Sequence, residues 1–437
     1  MADLSVNLGP LTLKNPFVAA GGPLAGTVDH IKHCIDSGLG AVVTKTASTV
    51  WYLQRYPRPL YRLLDYKKDR LRPYYVPDSY SWLHREHNSV YRPMQFAKII
   101  AQCSDYAKEH SCTIIGSYSA RTMKEWRDIA HAYEDAGSNA IELNFCCPFP
   151  PEGLTKDESD NHVGIYYTRN PEAAAEIVAA LKKEIKIPLF AKLSPDGSRF
   201  EKIAKMLEEA GVAGVTMFAN NKCLRVDIET GKPILYGPAP GTGPGLKALS
   251  IRWVSEIAEV CNIAVMGNRG ASTWEDAVEY IMAGADAVQY CTPLMIRGLG
   301  YVQEMIDGLE GFMKRRGYNS ISDFKDMALR QIYSNEDLVE KVKGLYAVVN
   351  YDRCMGCRRC EKVCWYDALS VGRKAVIKKK NCAGCSLCKE VCPVDAIYMD
   401  ERVNDLEHFQ ALASAHPELA PKGFFPEMDA ARGHSDA

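Results

Sequence analysis

Residues 144–149 read NFCCPF, two adjacent cysteines where an apolar run gives out. Strand alternation puts Cys146 on the face of Asn144, whereas Pro148 forces its predecessor into an extended conformation that can turn Cys147 inward. A thiol at such a place can work as an acid or a base near neutrality, since its ordinary pKa is about 8.5. An isolated buried cysteine, by contrast, is inert.

A second group of cysteines has a stricter pattern. Cys354, Cys357, Cys360 and Cys364 are spaced C-x2-C-x2-C-x3-C, and Cys382, Cys385, Cys388 and Cys392 repeat that spacing. Three thiolates three residues apart wrap one iron–sulfur cubane, and the fourth is carried to the partner cluster. One [4Fe-4S] cluster is therefore expected on Cys354, Cys357, Cys360 and Cys392, and a second on Cys382, Cys385, Cys388 and Cys364. Zinc is the alternative, although its ligands usually come as two separated pairs, which an unbroken run of C-x2 steps fits poorly. Trp365 stands where a proline commonly follows the fourth cysteine, and Pro393 keeps it in the second half.

Iron–sulfur clusters move single electrons, so the first 345 residues need elements that present something to reduce. Four times a helical stretch ends at a glycine before a short apolar run: DSGLGAVVTK at 36, EDAGSNAIEL at 134, EEAGVAGVTM at 208 and MAGADAVQYC at 282. Glycine accepts the left-handed conformation that stops a helix, and the run behind it reads as a buried parallel strand. With the apolar runs near Phe17, Ile114, Phe190 and Val265 this makes eight strands separated by helices. The expected fold class is α/β, a (β/α)8 TIM barrel, with a doubly wound sheet as the weaker alternative, followed by a ferredoxin-like α+β domain. Barrel chemistry sits at the C-terminal strand ends, here AAGG, TKT, SYS, NFCC, AKLSP, GNRG and YCT. The glycine-rich GNRG, with Arg269 and Gly270, suits a phosphate. Lys45 and Lys192 end strands at the mouth, where a lysine snorkels to water or sits against an electron-rich ring.

The whole chain of 437 residues carries a formal net charge of -1, which gives it no general attraction for nucleic acid or anionic lipid. No run approaches a membrane span, and MADLSVNLGP has neither a basic segment nor an apolar core, so a cytoplasmic location is expected. The expected layout is a barrel over 1–320 with an insertion at 51–92, a helical linker over 321–345, a two-cluster domain over 346–402 and a tail over 403–437. The insertion holds eight Tyr, two Trp and nine Lys or Arg. It reads equally as a lid over the mouth or as a dimer-interface loop.

The chain resembles the catalytic half of dihydropyrimidine dehydrogenase, an FMN-containing relative of the dihydroorotate dehydrogenases, from NLGPLTLKNPFVAA through VVTKT, ELNFCCP and FAKLSP to the double cluster. The resemblance implies FMN on the barrel mouth, with Gly21, Lys45, Thr46 and Lys192 around its ring. Gly243, Arg269, Gly270, Cys291 and Thr292 would lie near its phosphate, and Asn144 would touch substrate and flavin. The family's ELNxSCP stretch makes Cys147 the proton donor and acceptor, and Cys146 replaces its serine. The implied reaction adds hydride from reduced FMN to the β carbon of a carbonyl-conjugated C=C bond, while Cys147 protonates the α carbon from the other side.

The resemblance also implies a homodimer and a separate flavoprotein or ferredoxin as electron donor. GTGPGLKA at 241–248 does not open a βαβ unit, so direct NAD(P)H binding is not expected. Residues 351–400 hold 10 Lys or Arg against 6 Asp or Glu, which suits an acidic partner or a solvated face. Phe149 replaces the histidine of pyrimidine reducers, Ser119 replaces an asparagine, and Asn220 partly substitutes for an Asn-Thr pair. Those substrate positions point from a pyrimidine toward a bulkier cyclic enone or aromatic ring. The rival function is an electron-transfer subunit in which Cys147 is idle.

Overall fold

The computed structural model describes residues 2–50, 60–65, 80–86, 88–147, 163–195 and 199–401. Much of the 51–92 insertion, Phe149 and the tail lie outside the described residues. The chain divides into two compact units, Met1–Ile332 and Tyr333–Ala437.

In the first unit eight parallel strands close on themselves: β1 (Phe17–Ala19), β2 (Ala41–Val43), β3 (Thr113–Ser119), β4 (Ala140–Asn144), β5 (Leu189–Lys192), β6 (Gly214–Met217), β7 (Ala264–Asn268) and β8 (Ala287–Tyr290). Each pairs with its neighbour, and β8 returns to β1 with Val288 opposite Phe17. Their residues are buried on both faces, as strands covered by an outer ring of helices must be. The helices show the matching one-sided pattern. In the helix Phe200–Glu209 the buried side chains are Phe200, Ile203, Ala204 and Leu207, one stripe at helical spacing.

The four glycines that the sequence marks as helix stops, Gly38, Gly137, Gly211 and Gly284, have φ of +95°, +83°, +99° and +109°. At Gly284 the amide donates to Ile281 O and the next amide to Tyr280 O, so two carbonyls left open by the helix end are satisfied before β8 begins.

Residues 321–331 do not form a linker helix. They make two 3-10 turns on the barrel, Ile321–Asp323 and Leu329–Gln331, because Asp326 N and Ala328 N donate to Ile281 O and Met282 O and Lys325 pairs with the half-buried Asp286. A helix follows at Asn335–Lys341 in the second unit.

Across the strand ends lies a four-stranded antiparallel sheet made from two loops. Tyr80–Arg85, from the insertion, pairs on one side with Leu60–Asp65 and on the other with Ala239–Thr242, which pairs with Asn221–Cys223. One face buries Leu64 and Leu83 against Leu235 and Ala239. Alternation then leaves Tyr61, Tyr80, Trp82 and His84 together on the opposite face.

In the second unit Leu345–Val349 pairs with Ile397–Glu401, and Leu369–Val371 with Ala375–Ile377. The duplication seen in sequence recurs in the backbone: Gly356 and Gly384 have φ of +70° and +72°, and Arg358 and Ser386 have +62° and +60°. No described helix is long and apolar enough to cross a membrane.

Candidate active site

The antiparallel sheet roofs a cavity of ≈470 Å³ at the C-terminal ends of the barrel strands. Gly21, Lys45, Thr46, Asn144, Cys147, Lys192, Asn220, Gly243, Arg269, Gly270, Cys291 and Thr292 all border it. Tyr61, Tyr80, Trp82, His84 and Glu86 close it from above, so the described part of the insertion covers the mouth. Ser119 is the correction among the expected substrate contacts. Ala47–Ser48 pairs with the end of β3, and Ser119 Oγ donates to Ser48 Oγ at 2.9 Å with no exposure, away from the cavity wall.

At one end of the cavity the cysteines sit on a tight turn. Asn144 Oδ1 accepts from the amides of Cys146 and Cys147 at 3.1 and 2.8 Å, which breaks the strand alternation and brings both sulfurs to the cavity. Asn144 is itself held by Thr46, to which its Nδ2 donates at 2.9 Å. The Cys146 hydrogen bond holds the Cys147 thiol below its ordinary range; burial opposes this, and Lys192, Lys45 and Asn144 reinforce it. Burial first, then the same bond, pushes Cys146 well up.

Lys192 emerges from a polar layer inside the barrel. Its ammonium donates to Gln289 Oε1 at 2.9 Å and reaches Glu142 Oε1 at 3.4 Å, and Gln289 and Thr216 both donate to Glu142 Oε2. Burial works against the charge on Lys192, but Glu142 and the two thiols outweigh it and hold its pKa above the ordinary value. Lys45 is drawn upward instead, to Glu86 of the roof at 2.5 Å. Beside it Asn220 Nδ2 donates to His84 Nε2 at 2.6 Å, which requires a neutral ring, and burial duly lowers His84 to about 4.

The other end of the cavity is built for an anion. Arg269 is 3% exposed and, among the described residues, none of its three guanidinium nitrogens has a hydrogen-bond partner. Burial lowers it to about 10, which leaves it charged at neutral pH. An unpaired buried cation is costly unless an anion joins it. Thr242 Oγ1, also buried on this wall, lacks a partner as well. Gly243 (φ +152°) and Gly270 (φ +76°) border the space with bare backbone, in conformations glycine tolerates and at places where a Cβ would strike Tyr80 O and the Lys247 backbone. These residues fit the phosphate of FMN, and the lysine end fits its ring.

The sequence offered the insertion as a lid, but not its pairing with Ala239–Thr242 into a sheet, nor the polar layer. Tyr80, Trp82 and His84 alternate in sequence, and Glu142 and Gln289 are polar residues inside apolar strands, so both signals were present.

In the second unit Cys354, Cys357, Cys360 and Cys392 border one small cavity, and Cys364, Cys382, Cys385 and Cys388 another. Each set thus takes three cysteines from one repeat and the fourth from the other. Amides point at the sulfurs, with Ala375 N to Cys354 Sγ at 3.4 Å and Ala396 N to Cys392 Sγ at 3.2 Å, as cluster thiolates require.

Residues 3–313 match the dihydroorotate dehydrogenase family, and residues 347–399 match the 4Fe-4S dicluster domain. The chain is 30% identical to the catalytic subunit of dihydroorotate dehydrogenase B (NAD(+)) of Thermoplasma volcanium, covering 76% of this chain and all of that one. It is 26% identical to the NAD-dependent dihydropyrimidine dehydrogenase subunit PreA of Escherichia coli, covering 83% and 85%. A crystal structure of dihydroorotate dehydrogenase from Eimeria tenella with ferulenol shares the fold at TM-score 0.56 and 17% identity, covering 75% of this chain and 88% of that one. The chain belongs to the dihydroorotate dehydrogenase family, oxidoreductases acting on CH–CH bonds, with FMN in the barrel and two [4Fe-4S] clusters in the appended domain.

Proposed function

We propose that the protein reduces, or in reverse forms, a carbonyl-conjugated C=C bond in a cyclic substrate, with Cys147 as the acid. The observation that carries this reading is the pairing, in one roofed cavity, of a buried guanidinium that has no hydrogen-bond partner among the described residues with a thiol near two ammonium groups. FMN, when bound, supplies the hydride chemistry and joins one-electron clusters to a two-electron reaction. The protein's own residues do the rest. Arg269, Gly243 and Gly270 would hold the phosphate, and Lys192 would present positive charge to the ring. Asn144 fixes the turn that carries Cys147, and the roof keeps water out of the reacting space. A thiol pKa lowered toward neutrality suits a group that must give and regain a proton near pH 7.

The substrate is a ring bulkier than a pyrimidine. The roof offers aromatic surface, Tyr61 stacked on Trp82 with centroids 5.1 Å apart. The two polar positions expected to read a pyrimidine edge are taken, Ser119 by Ser48 and Asn220 by His84. The two relatives are both described as subunits, which supports a separate flavoprotein or ferredoxin as electron donor. The test is anaerobic. Protein holding FMN and about eight irons per chain is reduced with dithionite and mixed with uracil, thymine or bulkier cyclic enones. Rapid reoxidation by the bulkier rings alone supports the reading, and rapid reoxidation by the pyrimidines removes its substrate clause.

A further inference from the structure

Cys146 has no part in the chemistry so far, yet it is buried to 1% exposure beside the reacting thiol. We propose that Cys146 is a positioning residue whose S–H donates to the Cys147 sulfur, so that Cys147 is the member of the pair that ionises.

An amide oxygen has two lone-pair directions, and the amides of Cys146 and Cys147 both donate to Asn144 Oδ1. The Cys146 thiol can donate to that crowded oxygen at 2.9 Å or to the Cys147 sulfur at 3.7 Å, and distance alone does not fix the donor of the second contact. With the oxygen already served by two amides, the second sulfur is the acceptor that gains from the bond, above all when it carries charge. The charged groups bearing on the pair act unequally. Lys192 at the end of β5 favours a charge on either thiol, Lys45 after β2 favours the Cys147 thiolate, and Glu142 on β4 opposes a charge on Cys146; Glu86 of the roof compensates Lys45. Burial opposes a charge on both thiols, but it is the leading effect at Cys146 and is outweighed at Cys147 by the Cys146 hydrogen bond, so ionisation falls to Cys147 and Cys146 acts through it.

The step itself is a proton transfer: the Cys147 S–H bond breaks, a C–H bond forms, and the thiolate left behind regains its proton from water. The Cys146 hydrogen bond stabilises that thiolate without passing on its own proton. This consequence for turnover rests on the proposed function, but the thiol coupling does not.

The experiment measures alkylation of Cys147 by iodoacetamide across pH in the holoprotein, by mass spectrometry of the peptide that holds both cysteines. Cys146→Ala should raise the apparent pKa of Cys147 by about one unit and slow its alkylation at pH 7 about tenfold. Cys146→Ser, which keeps a donor, should restore the wild-type profile. Cys146→Val, which fills the space without a donor, gives the same reading if the alanine variant loses flavin. Profiles that coincide in all variants overturn the proposal. Full turnover in Cys147→Ala, which has no proton to give, would instead overturn the acid role of Cys147 and leave the alkylation result to stand or fall by itself.

Discussion

At the scale of single residues two charged ends define the cavity. Arg269 has no acceptor among the described residues, so Arg269→Leu should weaken FMN binding roughly ten- to hundredfold, the loss of one or two charge-assisted hydrogen bonds. Flavin absorbance of the purified variant checks this, and full retention would show that the phosphate lies elsewhere. At the other end the sign of the pH effect is fixed by the direction of the Cys147 shift. With Cys147 as the proposed acid, reduction would need the protonated thiol, so its rate should be level at low pH and fall as pH rises through the Cys147 pKa. That pKa is lowered, so the fall should come before the range of an ordinary thiol at about 8.5. A pH–rate curve still level at pH 9 would contradict it. Asn144 explains why sequence alternation pointed to Cys146: a side-chain oxygen that gathers two successive amides ends the strand rule one residue earlier than periodicity assumes.

At the scale of elements the barrel was legible, and its cover only as one of two readings of the insertion. Each strand ends or follows a short apolar run, and glycines at 38, 137, 211 and 284 mark helix stops by local chemistry alone. The roof depends on partners far apart in sequence, such as Leu83 opposite Gly241 and Trp82 opposite Thr242, and no local pattern records such pairings. Ser119 was misplaced for the same reason, since Ser48 reaches it through strand pairing. The roof is tied to the barrel by the ion pair of Lys45 and Glu86, whose side chains are 9% and 10% exposed. Glu86→Gln leaves a buried ammonium without its charge partner, a loss on the order of 3 kcal/mol. Urea titration followed by tryptophan fluorescence should show an earlier loss of the roof, where Trp82 reports directly; an unshifted curve would mean the pair contributes nothing to holding it.

At the scale of the whole molecule a flavin barrel and a two-cluster domain share one chain, and the cysteine spacing alone told the second from the first. Each cluster cavity borrows one cysteine from the other repeat. Cys392→Ser should therefore disturb the cluster of Cys354, Cys357 and Cys360 rather than that of its own repeat, lowering iron from about eight to about four per chain; spectra showing loss of the other cluster would reverse the assignment. The most direct test of Cys147 uses both parts of the chain at once. Wild-type and Cys147→Ala protein are reduced anaerobically and mixed with a cyclic enone while flavin and cluster absorbance are followed by stopped flow. If Cys147 is the acid, the variant passes electrons between clusters and flavin as before but is reoxidised by substrate about a hundredfold or more slowly. Equal reoxidation in the two proteins would contradict the acid role and leave the chain an electron relay.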